Sequence, residues 1–200
     1  MATTFRFYDD ATLLTPSTTI TVVAETDLSD GPHIYTKYLG SNAANTVLQT
    51  AISPGVNPIT LTPTYILPVR ANSTAYAVGD SVIPSPTNGY RYEASTGGTT
   101  GASTPTWGTT LGSTTTDGGV VWTLVAEDSP ITEVTLALTE ADLATNTPGA
   151  SLSLGNYIQS GVSNAIPIWI KEINTITNVS ESIGTPELGI VINAVQETTI

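Results

Sequence analysis

Cysteine is absent from the 200 residues, and histidine occurs once, as His33. Disulfides, thiolate metal sites and cysteine nucleophiles are therefore excluded, and a single imidazole is left for any Ser-His-Asp arrangement. Charge is scarce too. Asp, Glu, Lys and Arg make up 11% of the chain, under half of the ~25% usual in a soluble domain. Basic charge is scarcest. Arg6, Lys37, Arg70, Arg91 and Lys171 stand against 17 acidic residues, for a net charge of −12. Five scattered cations cannot build the basic face that phosphates require, so nucleic acid is excluded as a partner. An anionic membrane surface repels the chain for the same reason. No apolar run approaches the ~20 residues of a spanning helix. The opening MATTFRFYDD has neither the charged n-region nor the apolar h-region of a secretory signal.

In place of these the chain has 37 threonines, 17 glycines and 13 prolines. Threonine suits a pleated surface, and period-two alternation dominates. In Thr18–Ala24, Ile20, Val22 and Ala24 share a face; in His33–Leu39, Ile34, Thr36 and Tyr38 oppose His33, Tyr35 and Lys37. Val134, Leu136 and Leu138 line one side of a strand over Ile131–Thr139, Ile166, Ile168 and Ile170 oppose Trp169 and Lys171, and Leu188, Ile190 and Ile192 make a last strand. Gly, Pro, Asn or Asp ends each run, as strands require. Helical spacing is limited to one turn after Thr139, which can cap it with Glu140 and Asp142 near its start. Pro148-Gly149 stops anything longer. The fold class is all-β: a β-sandwich, Greek-key or jelly-roll-like, with a smaller β unit inserted.

The insertion is marked by composition. Pro84 to Leu124 holds only three charged residues, Arg91, Glu93 and Asp117, while residues 70–125 hold nine glycines and Tyr76, Tyr90, Tyr92, Trp107 and Trp122. A flexible linker has no use for five large aromatics, each able to bury ~150–250 Å². Residues 70–125 therefore read as a compact module set into a discontinuous domain of residues 1–69 and 126–200. Gly79-Asp80 suits a turn into Ser81–Ile83. Asn88-Gly89 and Asp117-Gly118 are hairpin signals before Tyr90–Ala94 and Val120–Val125. The expected module is a three-stranded sheet with a long loop over residues 96–116. The host strands that flank it, Tyr65–Val69 and Ile131–Leu138, are expected to pair as neighbours.

The module's residues carry a resemblance. Ala75-Tyr76-Ala77-Val78-Gly79-Asp80-Ser81-Val82, Gly89-Tyr90-Arg91-Tyr92-Glu93-Ala94, Thr104-Pro105-Thr106-Trp107 and Thr116-Asp117-Gly118-Gly119-Val120-Val121-Trp122 resemble, in order and spacing, a small module of tailed-bacteriophage virion proteins. The layout is also similar to the chitin-binding modules of glycoside hydrolases. The flanks Phe5-Arg6-Phe7-Tyr8-Asp9-Asp10 and Leu152-Ser153-Leu154-Gly155 resemble phage virion protein as well. The resemblance covers about 50 of the 200 residues. It implies a structural role in the virion: on the capsid exterior as a decoration or cement protein touching the major capsid protein, or alternatively in the neck, tail or baseplate. It further implies a homo-trimer and contact with a host or environmental glycan. Trp107, Tyr90, Tyr92 and Tyr76 are the candidates to stack on sugar rings, and Trp122 is the candidate core residue. The competing reading places all five aromatics in the module's own core.

Catalysis finds little to work with. No Gly-x-Ser-x-Gly elbow occurs, and His33 has only Asp27 and Asp30 nearby in sequence. Asp9-Asp10, Asp27 with Asp30, Glu127-Asp128 and Glu140 with Asp142 are acidic pairs without the spacing of a calcium loop. The chain reads as a non-enzyme with no catalytic residue, cofactor or metal.

Overall fold

The computed structural model describes residues 3–19, 31–177 and 188–200. Its described residues are built almost wholly of β-strands, with three short 3-10 turns. The chain first forms β1 (Arg6–Tyr8), β2 (His33–Gly40), β3 (Thr46–Thr50) and β4 (Thr60–Tyr65). The module follows, with β5 (Ala75–Tyr76), β6 (Ser81–Val82), β7 (Tyr90–Thr96), β8 (Gly98–Thr99), β9 (Thr114–Asp117) and β10 (Val120–Glu127). The host resumes with β11 (Val134–Ala137), β12 (Leu152–Ser153), β13 (Tyr157–Gln159), β14 (Ile166–Glu172), β15 (Leu188–Ile192) and β16 (Val195–Thr199). The expected strand residues Ile20, Val22 and Ala24, and the pair Asp27 and Asp30, lie outside the described residues.

β2 and β14 are the long central pair of an antiparallel sheet ordered β1-β2-β14-β11. Alternation sets their faces: Ile168 and Ile170 are buried opposite Lys37 and Tyr35, while Trp169 points the other way. Two three-stranded sheets, β12-β4-β15 and β13-β3-β16, complete the host. They are two halves of one bent ribbon, because the same three chain segments run through both. At the bend, Ile59 N donates to Gly155 O (2.8 Å), Leu154 N to Ile59 O (2.8 Å) and Ala51 N to Ala194 O (2.8 Å). Leu39, Leu48, Ile59, Leu61, Leu136, Ile158, Ile168 and Ile170 meet between sheet and ribbon in one apolar cluster. Each such side chain is worth ~1.5–3 kcal/mol relative to exposure.

Several sequence expectations change here. Ile131–Glu133 is a 3-10 turn, not strand, because Glu133 N closes back on Pro130 O (2.9 Å). Only Val134–Ala137 remains extended, and all four of its residues are buried. The turn after Thr139 forms as a 3-10 turn over Ala141–Ala144, with Asp142 N donating to Thr139 Oγ1 (3.3 Å). Tyr65–Val69 does not form the expected strand, since β4 ends at Tyr65, and β4 does not pair with β11. β4 lies in the ribbon and β11 pairs with β14, although the 131–133 turn still packs beside β4. The chain therefore re-enters the host close to where it left.

A second, separate apolar cluster, Val82, Tyr92, Ala94, Val120, Trp122 and Leu124, belongs wholly to the module. The module's main sheet has four strands, β6-β7-β10-β9, not three, and a β5-β8 ribbon lies beside it. The loop expected over residues 96–116 is broken by β8 and β9. β10 continues to Glu127, so a boundary at residue 125 cuts through the module's last strand.

Candidate functional site: the aromatic module

Turn chemistry places the module's rings. Gly79 adopts φ +90 and Asp80 N returns to Ala77 O (3.2 Å), while the Asp80 carboxylate accepts from Ala77 N (2.7 Å). This tight turn leads from Tyr76 into β6. Gly89 adopts φ +81 and the Asn88 side-chain Oδ1 accepts from Tyr90 N (3.2 Å), opening β7. Asp117 and Val120 are paired across the two-residue loop Gly118-Gly119. Gly118 has φ +63, and a Cβ there would lie 2.6 Å from Thr99 O. Only glycine fits that turn.

The rings converge on Trp122, which is fully buried. Tyr76 meets it edge-on with centroids 5.0 Å apart, Trp107 lies 6.2 Å from it, and Tyr92 stacks at a tilt on Trp107 at 4.3 Å. Tyr92 is also fully buried. Its hydroxyl donates to Gly108 O (2.7 Å) and accepts from Asn88 Nδ2 (2.9 Å). Burial raises the pKa of that phenol above its ordinary value, and the Asn88 bond offsets part of the effect. Tyr92 therefore cannot offer a ring face to a sugar. Trp107, Tyr76 and Tyr90 are half-buried and pack on the same cluster. These aromatics act first as a core, with partial exposure of three of them.

Beside Trp122 lies an ion pair that the sequence reading did not identify. Asp117 accepts from Arg70 Nε (2.8 Å), Arg70 Nη2 (2.7 Å), Trp122 Nε1 (3.1 Å) and Gly101 N (2.9 Å). The two side chains are 2% and 1% exposed. Arg70 also donates to Gly101 O (2.9 Å), Ser103 O (3.0 Å) and the Asn72 side chain. Burial pushes the Asp117 carboxyl up, but the Arg70, Trp122 and Gly101 donors outweigh it and hold the pKa below the ordinary 3.8. The pair ties the module's first residue to its last hairpin and pins the 101–103 loop. Arg91, which alternates with Tyr90 and Tyr92 along β7, is 1% exposed and donates to Ser81 Oγ (3.2 Å).

An open groove of about 500 Å³ lies where the host chain enters the module, lined by Ile66, Leu67, Pro68, Tyr76, Asp80 and Ser81. Of the stacking candidates only Tyr76 lines it, and its hydroxyl accepts from Ala71 N (2.9 Å). His33 opens β2 opposite Glu172 in register and stacks on Tyr35 at 6.4 Å. Among the described residues no group of three or more His, Asp or Glu side chains could hold a metal ion. None of their helices is long and apolar enough to cross a membrane.

Comparison with protein-family models, with curated proteins and with solved structures finds no match to this chain.

Proposed function

We propose that this chain is a non-enzymatic structural protein of a tailed-bacteriophage virion, seated on the capsid exterior as a decoration or cement protein. The observation that supports the reading is the role each recurring motif residue takes. Gly79-Asp80, Asn88-Gly89 and Gly118-Gly119 make turns, Tyr76, Tyr92, Trp107 and Trp122 make one core, and Asp117 is its polar anchor. The motif that carries the resemblance thus builds an apolar cluster of its own, separate from that of the all-β host. A β unit with its own apolar core, carried on an all-β host, suits a protein added to a finished shell. Any glycan contact narrows to Trp107, Tyr76 and Tyr90, since Tyr92 has no free face.

The test is addition of the purified protein to particles that lack it, followed by averaged imaging. Copies at symmetry axes of the shell are expected. Copies confined to neck, tail or baseplate, or no binding, overturn the capsid reading. Loss of polysaccharide retention in Trp107→Ala, with Tyr157→Ala unchanged as a host-surface control, is the outcome a glycan role requires.

A further inference from the structure

Among the described residues the bent ribbon of the host ends in an open edge. β15 pairs with β4 and β16 with β3, and among the described residues nothing pairs with their outer side. Pro63 shows which groups that side presents. It lies opposite Ile190, and proline has no N–H, so this pair cannot exchange two ladder bonds. Asn193 N donates to Thr60 O (3.1 Å). The bonded positions are therefore Asn193, Val191 and Gly189, and the backbone groups of Leu188, Ile190 and Ile192 point outward. Natural edges are blunted by lysine, proline, bulges or a covering element. Leu188–Val195 holds no proline and no charge, and neither ladder shows a register shift. Leu188, Ile190, Ile192 and Val195 aim at the host core yet remain half-buried, and Val191 is 50% exposed on the opposite face.

Charge selects the occupant. The chain carries 22 charged residues, yet residues 38–69, 143–170 and 188–200, which supply the whole ribbon, contain only Glu197. Its carboxylate is held by Thr4 N (2.6 Å) and Thr4 Oγ1 (2.6 Å). Two copies at −12 each repel one another, and Leu188–Gln196, a stretch free of charge between Glu187 and Glu197, is where they can meet with few opposing like charges. We propose that Leu188–Ile192 pairs antiparallel with the same strand of a second copy about a two-fold axis, joining the two ribbons into one sheet. A two-fold contact between identical edges is self-complementary and closed. This reading is independent of the virion role, and it differs from the trimer that the resemblance implies.

Sedimentation of the full chain and of Val191→Lys, with Val78→Lys on the module's exposed turn as control, tests it. A dimer that strengthens with salt is expected in the parent and in Val78→Lys, and it is lost in Val191→Lys without change in circular dichroism. Backbone amides of Leu188, Ile190 and Ile192 should be protected from hydrogen exchange in the parent and exchange fast in Val191→Lys. A monomer at every concentration, a trimer, a dimer that Val191→Lys keeps, or one that salt dissolves overturns the proposal.

Discussion

Asp117→Asn removes one charge and almost no volume from a fully buried ion pair of the module. Asp117 accepts four hydrogen bonds, two at each carboxylate oxygen: Arg70 Nη2 and Gly101 N at one, Arg70 Nε and Trp122 Nε1 at the other. An asparagine has one oxygen, so its NH2 must face two donors whichever way it turns. Each buried donor left without an acceptor costs ~1–3 kcal/mol. Removing one partner of a buried ion pair costs ~3–5 kcal/mol, because the other charge stays buried and uncompensated. With both side chains 2% exposed or less, solvent screening gives little relief, and a loss of ~3–5 kcal/mol is expected. That approaches the whole stability of a small domain, ~5–15 kcal/mol. Urea titration followed by tryptophan fluorescence measures it in a Trp169→Phe background, which leaves Trp107 and Trp122, both in the module, as the only reporters. Asp80→Asn is the control, since its amide oxygen can still accept from Ala77 N at an exposed turn. If Asp117→Asn loses under ~1 kcal/mol, or no more than Asp80→Asn, the ion pair does not anchor the module and the reasoning fails.

Gly118→Ala should cost at least the ~1–2 kcal/mol of a left-handed alanine, with more from a Cβ 2.6 Å from Thr99 O. Gly112→Ala, at φ +78 with open space around it, should cost the backbone part alone, and equal losses in the two variants would remove the steric argument. Acid should destabilise the fold in a defined window. Asp117 and Glu197 both have folded pKa values below their ordinary 3.8 and 4.5; in each, burial pushes up and the donors pull further down. Their contribution is therefore fully present above the ordinary values and is lost as pH falls through the folded ones. Thermal melts should be level at neutral pH and decline below about pH 4.5, and Asp117→Asn should flatten that decline. A decline already complete at higher pH would assign it to other groups.

Alternation found β2, β14 and β15, because each has one face on the host core and one face outward. It also placed β11 within Ile131–Thr139, although both faces of that strand are buried, but it overran at Ile131–Glu133, where Pro130 starts a turn. β4 was hidden by Pro63, a residue that argues against a central strand. The fold accommodates it because β12 pairs with β4 only at Leu61 and Thr60, so that side of β4 is an edge by residue 63. The short strands β5, β8, β9, β12 and β13 have two to four residues each, too few to show a period. In the module, glycine pairs located the turns correctly, yet nothing local separated a buried Tyr92 from a half-buried Tyr90. The Arg70–Asp117 pair spans 47 positions. Its signal was scarcity: in a segment nearly free of charge, a retained carboxylate and a boundary arginine are best explained by each other.

That scarcity also fixes what a partner meets. Of five cations, Arg70 is spent on Asp117, Arg91 is buried against Ser81, Lys37 is paired with Asp9 and Lys171 donates to Leu143 O (2.8 Å). Arg6 is the remaining one, and it is exposed. Among the described residues the accessible surface is thus more one-sided than the formal count, either acidic or, on the ribbon, charged only at Glu197. Contacts through the acidic part weaken as salt rises, because they rest on attraction to a cationic partner. Contacts through the ribbon hold or strengthen, because salt only screens the repulsion around them. Salt dependence measured separately for self-association and for shell binding therefore assigns each to a surface. Opposite signs would mean that the chain uses its two kinds of surface for two different partners.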